Sequence, residues 1–133
     1  MTFIYKALVY GNDVLKGTIT VKGVSSDPYS NYGGSTISLK TPTRAGYTFK
    51  GWYGSNGGTY DNPSMVNPTI SSSATGDRTY TAKWEINRYS ISYNLHGGKV
   101  ENKLPTEYNV ESDDIVLEEP KRKGMKFNGW KEK

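Results

Sequence analysis

The sequence predicts a mainly β fold, α+β at most, and three observations carry that expectation. Tyr, Thr, Val, Ile, Phe and Trp fill the patterned segments, with 15 Gly and 6 Pro punctuating them. No window of about 11 or more residues places apolar side chains at the i, i+3, i+4, i+7 spacing of an amphipathic helix. Residues 36–52 and 114–130 are also versions of one block, the mark of a tandem array. A length of 133 residues allows one modest domain or two very small ones. Leu, Ile, Val and Phe together make 24 residues, about 18%, a level at which some chains are disordered. Here the net charge is only +4 and 11 Tyr and 3 Trp add large partly apolar side chains, so the chain is expected to fold.

The elements follow in order. Tyr5–Asn12, which holds the apolar run Ala7–Tyr10, loosely echoes Tyr89–Gly98. Ile37 and Leu39 alternate with Thr36, Ser38 and Lys40, as Ile115 and Leu117 alternate with their neighbours, giving half-buried strands that Pro42 and Pro120 end. Gly46 and Gly124 are placed to supply a positive φ in the turn that follows. Tyr47-Thr48-Phe49-Lys50-Gly51-Trp52 then starts a second strand, where a glycine before tryptophan predicts a bulge or bend turning the indole toward the core, and Phe127-Asn128-Gly129-Trp130 repeats the pattern. Eight of the 17 aligned positions are identical: Ile, Leu, Pro, Arg, Gly, Phe, Gly and Trp. Tyr53 to Thr79 is turn-rich, with a one- to two-turn helix candidate at Asn62–Val66, and leads to the alternating strand Thr79–Trp84. The expected core is Ile37, Leu39, Phe49, Trp52, Tyr80 and Trp84, repeated as Ile115, Leu117, Phe127 and Trp130. Two modules are expected, 1–84 and 85–133, joined by the short linker Glu85–Arg88.

Pro42 to Tyr53, followed by Gly57-Gly58 and Gly76–Trp84, resembles the Listeria–Bacteroides repeat, also called the internalin B-repeat, as does the Tyr89–Gly98 opening of the next unit. The resemblance covers residues 29–130 well and 1–28 poorly. It implies β-grasp-like, ubiquitin-related modules in tandem on secreted or wall-attached bacterial surface proteins, serving as stalks, spacers and adhesive modules. It implies no catalytic residues. The second unit reaches Trp130 without a counterpart of Thr79–Trp84, and Met125 replaces Tyr47. An unclosed unit exposes strand edges. The expectation is that a strand of another copy, such as Thr2–Tyr10, fills the gap by exchange, or that the residues are part of a longer array.

Candidate chemistry is thin. Zero cysteine excludes disulfides, zinc–thiolate sites and thiol nucleophiles. His96 stands alone beside Gly97-Gly98, without the orienting partner of a base or the companions of a metal ligand. Asp113-Asp114 and Glu118-Glu119 are adjacent pairs whose side chains point apart in a strand, so neither converges on a cation. No cofactor is expected. Lys40, Arg44 and Lys50, with Lys121, Arg122 and Lys123, form the possible binding surface. The positive excess lies in residues 1–84, with 8 basic and 4 acidic groups, against 9 and 9 in residues 85–133. Such a surface suits a host or wall protein or an anionic glycan, while no motif for nucleic acid occurs. No segment approaches the ~20 apolar residues that insert in a membrane, and the N-terminus lacks signal-peptide character. The expected role is a non-enzymatic repeat of an extracellular or cell-surface protein. The alternative is a glycan- or wall-polymer-binding module using exposed aromatics and Lys/Arg.

Overall fold

A computed structural model describes residues 3–11, 14–55 and 57–132 of the chain. The chain divides into two compact units, Met1–Ile86 and Asn87–Lys133. Among the described residues there is no helix, and the fold is mainly β. Asn62–Val66, the helix candidate, forms no helix; Ser64 forms a β-bridge instead, with bends at Asn62 and Val66. Ser64 and Trp52 exchange a pair of backbone hydrogen bonds of 2.7 Å, a better use of those groups than one isolated helical turn. Thr2 of the expected exchange strand lies outside the described residues.

In the first unit, β1 (Phe3–Gly11), β2 (Val14–Val24), β4 (Tyr47–Gly54) and β6 (Arg78–Ile86) form one mixed sheet in the order β1-β2-β6-β4. β1 pairs antiparallel with β2, β2 parallel with β6, and β6 antiparallel with β4. Two short strands, β3 (Ile37–Ser38) and β5 (Thr69–Ile70), make a separate two-stranded ladder. Side chains alternate as a half-buried sheet requires: Ala7 and Val9 are buried and Leu8 exposed; Ile19 and Val21 are buried and Lys22 exposed. Tyr80 and Ala82 continue the inner face from β6, and Ile37, Leu39 and Ile70 complete the same core. Glu85 and Ile86, expected in a linker, are the last residues of β6 and pair with Thr48 and Tyr47.

Strand β4 contains the irregularity that the Gly-Trp pair predicts. The register shifts between Phe49 and Gly51, so Lys50 is the extra residue of a bulge. Three positions apart, Phe49 and Trp52 would face opposite sides of a regular strand; the bulge brings both rings together, 5.3 Å apart and edge to face. Gly51 has φ 128°, and a Cβ there would stand 2.6 Å from the Ser64 carbonyl oxygen, so no side chain fits. Trp52 is 1% exposed and its indole N–H donates to Asn67 Oδ1 at 3.0 Å. Phe49 also meets Trp84 at 5.5 Å, and the Trp84 N–H donates to the Gly23 carbonyl.

The second unit is built from the same local conformations but holds far less ladder. Gly124 and Gly129 have φ 78° and 132°, against 81° and 128° at Gly46 and Gly51. The Met125 N–H donates to the Arg122 carbonyl at 3.0 Å, as Tyr47 does to Arg44 at 3.1 Å. Phe127 meets Trp130 at 5.5 Å and 69°, almost the Phe49–Trp52 geometry. The strands described are β7 (Tyr89–Ser90) and β8 (Glu107–Tyr108), two residues each and paired antiparallel, with a bridge between Lys99 and Lys121. Residues 114–120 and 125–130 form no strand.

That difference corrects part of the expected core. Trp130 is 38% exposed and Ile115 37%, whereas Trp52 and Ile37 are at 1% and 0%. Leu117 and Phe127 are half-buried. Strand β6 shields the indole of the first unit, and nothing described in the second unit takes its place. Trp52→Ala is therefore expected to lower the stability of the first unit by ~3–5 kcal/mol. Trp130→Ala should cost under half as much, both read from urea denaturation.

Candidate functional site

Of the basic residues expected to form a binding surface, Lys50, Arg44 and Arg122 have side-chain contacts, and Lys40, Lys121 and Lys123 are exposed. The Lys50 ammonium lies 3.8 Å from Glu85 Oε2, an exposed pair across the β4–β6 ladder worth at most about 1 kcal/mol. The Arg44 guanidinium stacks on Tyr47 at 3.8 Å from the ring centre, a cation–π contact local to the turn. Lys40 is exposed and its N–H donates to the Pro28 carbonyl. In the second unit Lys121 exchanges backbone hydrogen bonds with Lys99, the Arg122 side chain lies against Gly97, and Lys123 is exposed. Among the described residues no acceptor that these cations share is found.

A different group is brought together on the first unit. Tyr53 and Tyr60 meet edge to face at 6.0 Å and 88°, and the Lys83 ammonium stands 4.2 Å over the Tyr60 ring. Lys83 Nζ also donates to the Tyr60 carbonyl at 2.5 Å. Tyr60 is 62% exposed. Sequence reading missed this cluster because Tyr60 lies in a turn-rich stretch without periodicity. The available signal was the alternation of β6, which turns Lys83 away from the face holding Ala82. A separate cavity of ≈ 220 Å³ is lined by Trp52, Gly57, Ser64, Val66, Asn67, Pro68, Thr69 and Tyr80 and includes none of Tyr53, Tyr60 and Lys83.

Among the described residues no three of His, Cys, Asp and Glu gather as a metal would require. His96 occupies a turn at φ 46°, its N–H donating to Asn94 Oδ1. The Glu118 carboxylate accepts the Glu101 N–H at 2.6 Å and the Asn102 Nδ2 at 2.9 Å, tying down that loop. Asp113, Asp114 and Glu119 are exposed.

Comparison with known proteins places this architecture. Residues 11–88 match the profile of the divergent InlB B-repeat domain, and residues 89–133 that of the Listeria–Bacteroides repeat domain. The chain belongs to the InlB B-repeat family. In this B-repeat chain the first profile begins at the end of β1 and spans β2 to β6, so β1 lies almost wholly outside it. Two relatives come from Evansella cellulosilytica. One, described by inference as a Gly-rich membrane protein, is 34% identical over 108 residues, which cover 79% of this chain and 11% of the relative. The other, described by inference as a membrane protein, is 30% identical over 105 residues, covering 79% of this chain and 15% of the relative. The chain thus spans a small part of each relative's length. No solved structure matches it. Repeat domains of this family occur in bacterial surface proteins and are generally non-enzymatic. Among the described residues no helix is long and apolar enough to cross a membrane.

One buried hydroxyl gives the first unit a pH dependence. Tyr29 is 6% exposed and its OH donates to the Ile19 carbonyl at 2.9 Å. Burial, with a smaller contribution from the Asp27 charge, raises its pKa from 10.0 to about 12. Burial also raises Tyr80, partly offset by Arg78. A raised pKa means that the fold favours the neutral phenol. The stabilisation is complete below the ordinary value near 10 and is lost as pH rises toward about 12. The denaturation midpoint of the first unit should fall over that interval, and Tyr29→Phe should make the fall shallower while lowering stability at neutral pH.

Proposed function

We propose that this chain is a non-enzymatic, tension-bearing spacer of a bacterial surface protein, and that its exposed faces serve protein or host contacts. One observation carries the reading: β2 and β6, the first and last strands within residues 11–88, lie side by side and parallel, with Ile19 to Lys22 opposite Arg78 to Thr81. In a parallel pair the start of one strand and the end of the other lie at opposite ends of the ladder. Tension entering at the start of β2 and leaving at the end of β6 therefore shears the ladder and loads its hydrogen bonds together. An antiparallel hairpin pulled from its open end would release them one at a time. The ladder is backed by the buried Val21 and Tyr80, which keep water from the inner side of the bonds. The burial of Trp52 supports the same reading, because the Gly-Trp block then serves the core and leaves no indole platform there.

The absence of native cysteine makes the test clean. In single-molecule pulling, handles at Val14→Cys and Glu85→Cys load the parallel pair in shear. Handles at Lys22→Cys and Glu85→Cys load its two strands from nearby ends. The first geometry is expected to need a clearly higher unfolding force, and equal forces would sink the spacer reading.

The alternative, a glycan- or wall-polymer-binding module, has support at Tyr53, Tyr60 and Lys83, where an exposed ring and a cation stand together. Titration with an anionic wall polysaccharide, followed by the amide resonances of residues 57–62, tests it. The spacer reading expects no saturable shift; a saturable shift abolished by Tyr60→Ala would favour the glycan reading.

A further inference from the structure

Tyr89 and Tyr108 are Cα partners in the antiparallel β7–β8 ladder, so both side chains rise from the same face of it. Their ring centres are 5.3 Å apart and the ring planes are tilted by only 35°, which sets the rings alongside each other rather than edge to face. Both rings reach solvent, at 41% and 43% exposed. The other tyrosine pairs among the described residues differ. Tyr53 and Tyr60 meet at 88°, with the Lys83 ammonium over the Tyr60 ring. Tyr29 and Tyr32 meet at 70°, and Tyr29 is buried.

We propose that Tyr89 and Tyr108 form a site of oxidative cross-linking, at which a peroxide-driven one-electron oxidant joins the two rings as dityrosine. Each phenol gives up one electron and its hydroxyl proton and becomes a phenoxyl radical. The radicals couple through a carbon–carbon bond between the ring positions beside the two oxygens. The proton on each bonded carbon then moves to the oxygen and restores both phenols. Hydrogen peroxide takes up the two electrons and two protons and leaves as two molecules of water. The geometry selects this pair. Coupling joins ring edge to ring edge, which rings set alongside each other provide, whereas an edge-to-face pair sets an edge against a face. The rings must also meet the oxidant, which excludes Tyr29. An ammonium held on a ring face opposes the loss of an electron from that ring, which disfavours Tyr60. The bond has a structural consequence. β7 and β8 are two residues each, too short a ladder to be stable by itself, and the chain has no cysteine to close it with a disulfide. A link between residues 89 and 108 ties the ladder and constrains the unfolded chain between them, as a disulfide does. The proposal does not rest on the spacer reading.

The test treats the full chain, at high dilution, with hydrogen peroxide and a haem peroxidase. The expected product is a monomer lighter by two hydrogens, with dityrosine fluorescence and proteolytic fragments joined at Tyr89 and Tyr108. Tyr89→Phe and Tyr108→Phe are each expected to abolish that product, whereas Tyr60→Phe should leave its yield unchanged. In the cross-linked chain the Trp130 indole N–H resonance, which reports on the second unit, should keep its folded position to a higher urea concentration. Any of four results overturns the proposal: tyrosines joined only between chains, an intramolecular link mapped to Tyr53 and Tyr60 instead, an undiminished yield from Tyr108→Phe, or an unshifted urea midpoint at Trp130.

Discussion

The pairing of β6 with two neighbours at once is the constraint on which the first unit depends. It bonds in parallel to β2 and antiparallel to β4, and sends Tyr80, Ala82 and Trp84 toward the core. Few of the large aliphatic residues that usually fill a core are available, so buried area must come from rings. Trp52, Phe49 and Trp84 form a run of edge-to-face contacts at 5.3 and 5.5 Å, one member of which β6 contributes. Polar atoms are settled in the same motion: one indole N–H reaches Asn67 and the other the Gly23 carbonyl, so burial leaves neither unpaired.

The second unit shows what remains when that contribution is missing. Turn hydrogen bonds, glycine dihedrals and neighbouring ring contacts persist, because residues within a few positions of one another determine them. Ladders and low exposure do not persist, because they require a segment distant in sequence. A strand is defined by its partner as much as by its own residues, so residues 114–130 match the Ile-x-Leu and Phe-x-Gly-Trp pattern without becoming strands. Ile115 and Trp130 are therefore exposed for a reason external to their own segment.

The surface follows a related logic. Some of the charges that look like clusters along the chain have individual contacts: Lys50 turns to Glu85, Arg44 to Tyr47, and Arg122 to the Gly97 turn. In the group that does assemble, Lys83 of β6 meets Tyr60, 23 positions earlier in the chain, and Tyr60 meets Tyr53. Mixed signs at short spacing weaken any field at the Debye length of ~8 Å, so contact geometry outweighs net charge here.

Much was legible in the sequence. Composition and the repeated block gave the β class and the family, and the Gly-Trp pair gave the bulge that Gly51 and Lys50 form. These are local properties: a positive φ or an alternation is written in adjacent residues. The tertiary structure alone decided that Ser64 bridges Trp52 in place of a helix at Asn62–Val66, that β1 sits at the sheet edge, and that Tyr60 and Lys83 meet. It alone decided which indole is buried. Burial belongs to the contact between segments, and two blocks with the same Gly-Trp pattern differ in it because, among the described residues, only one lies against a strand like β6.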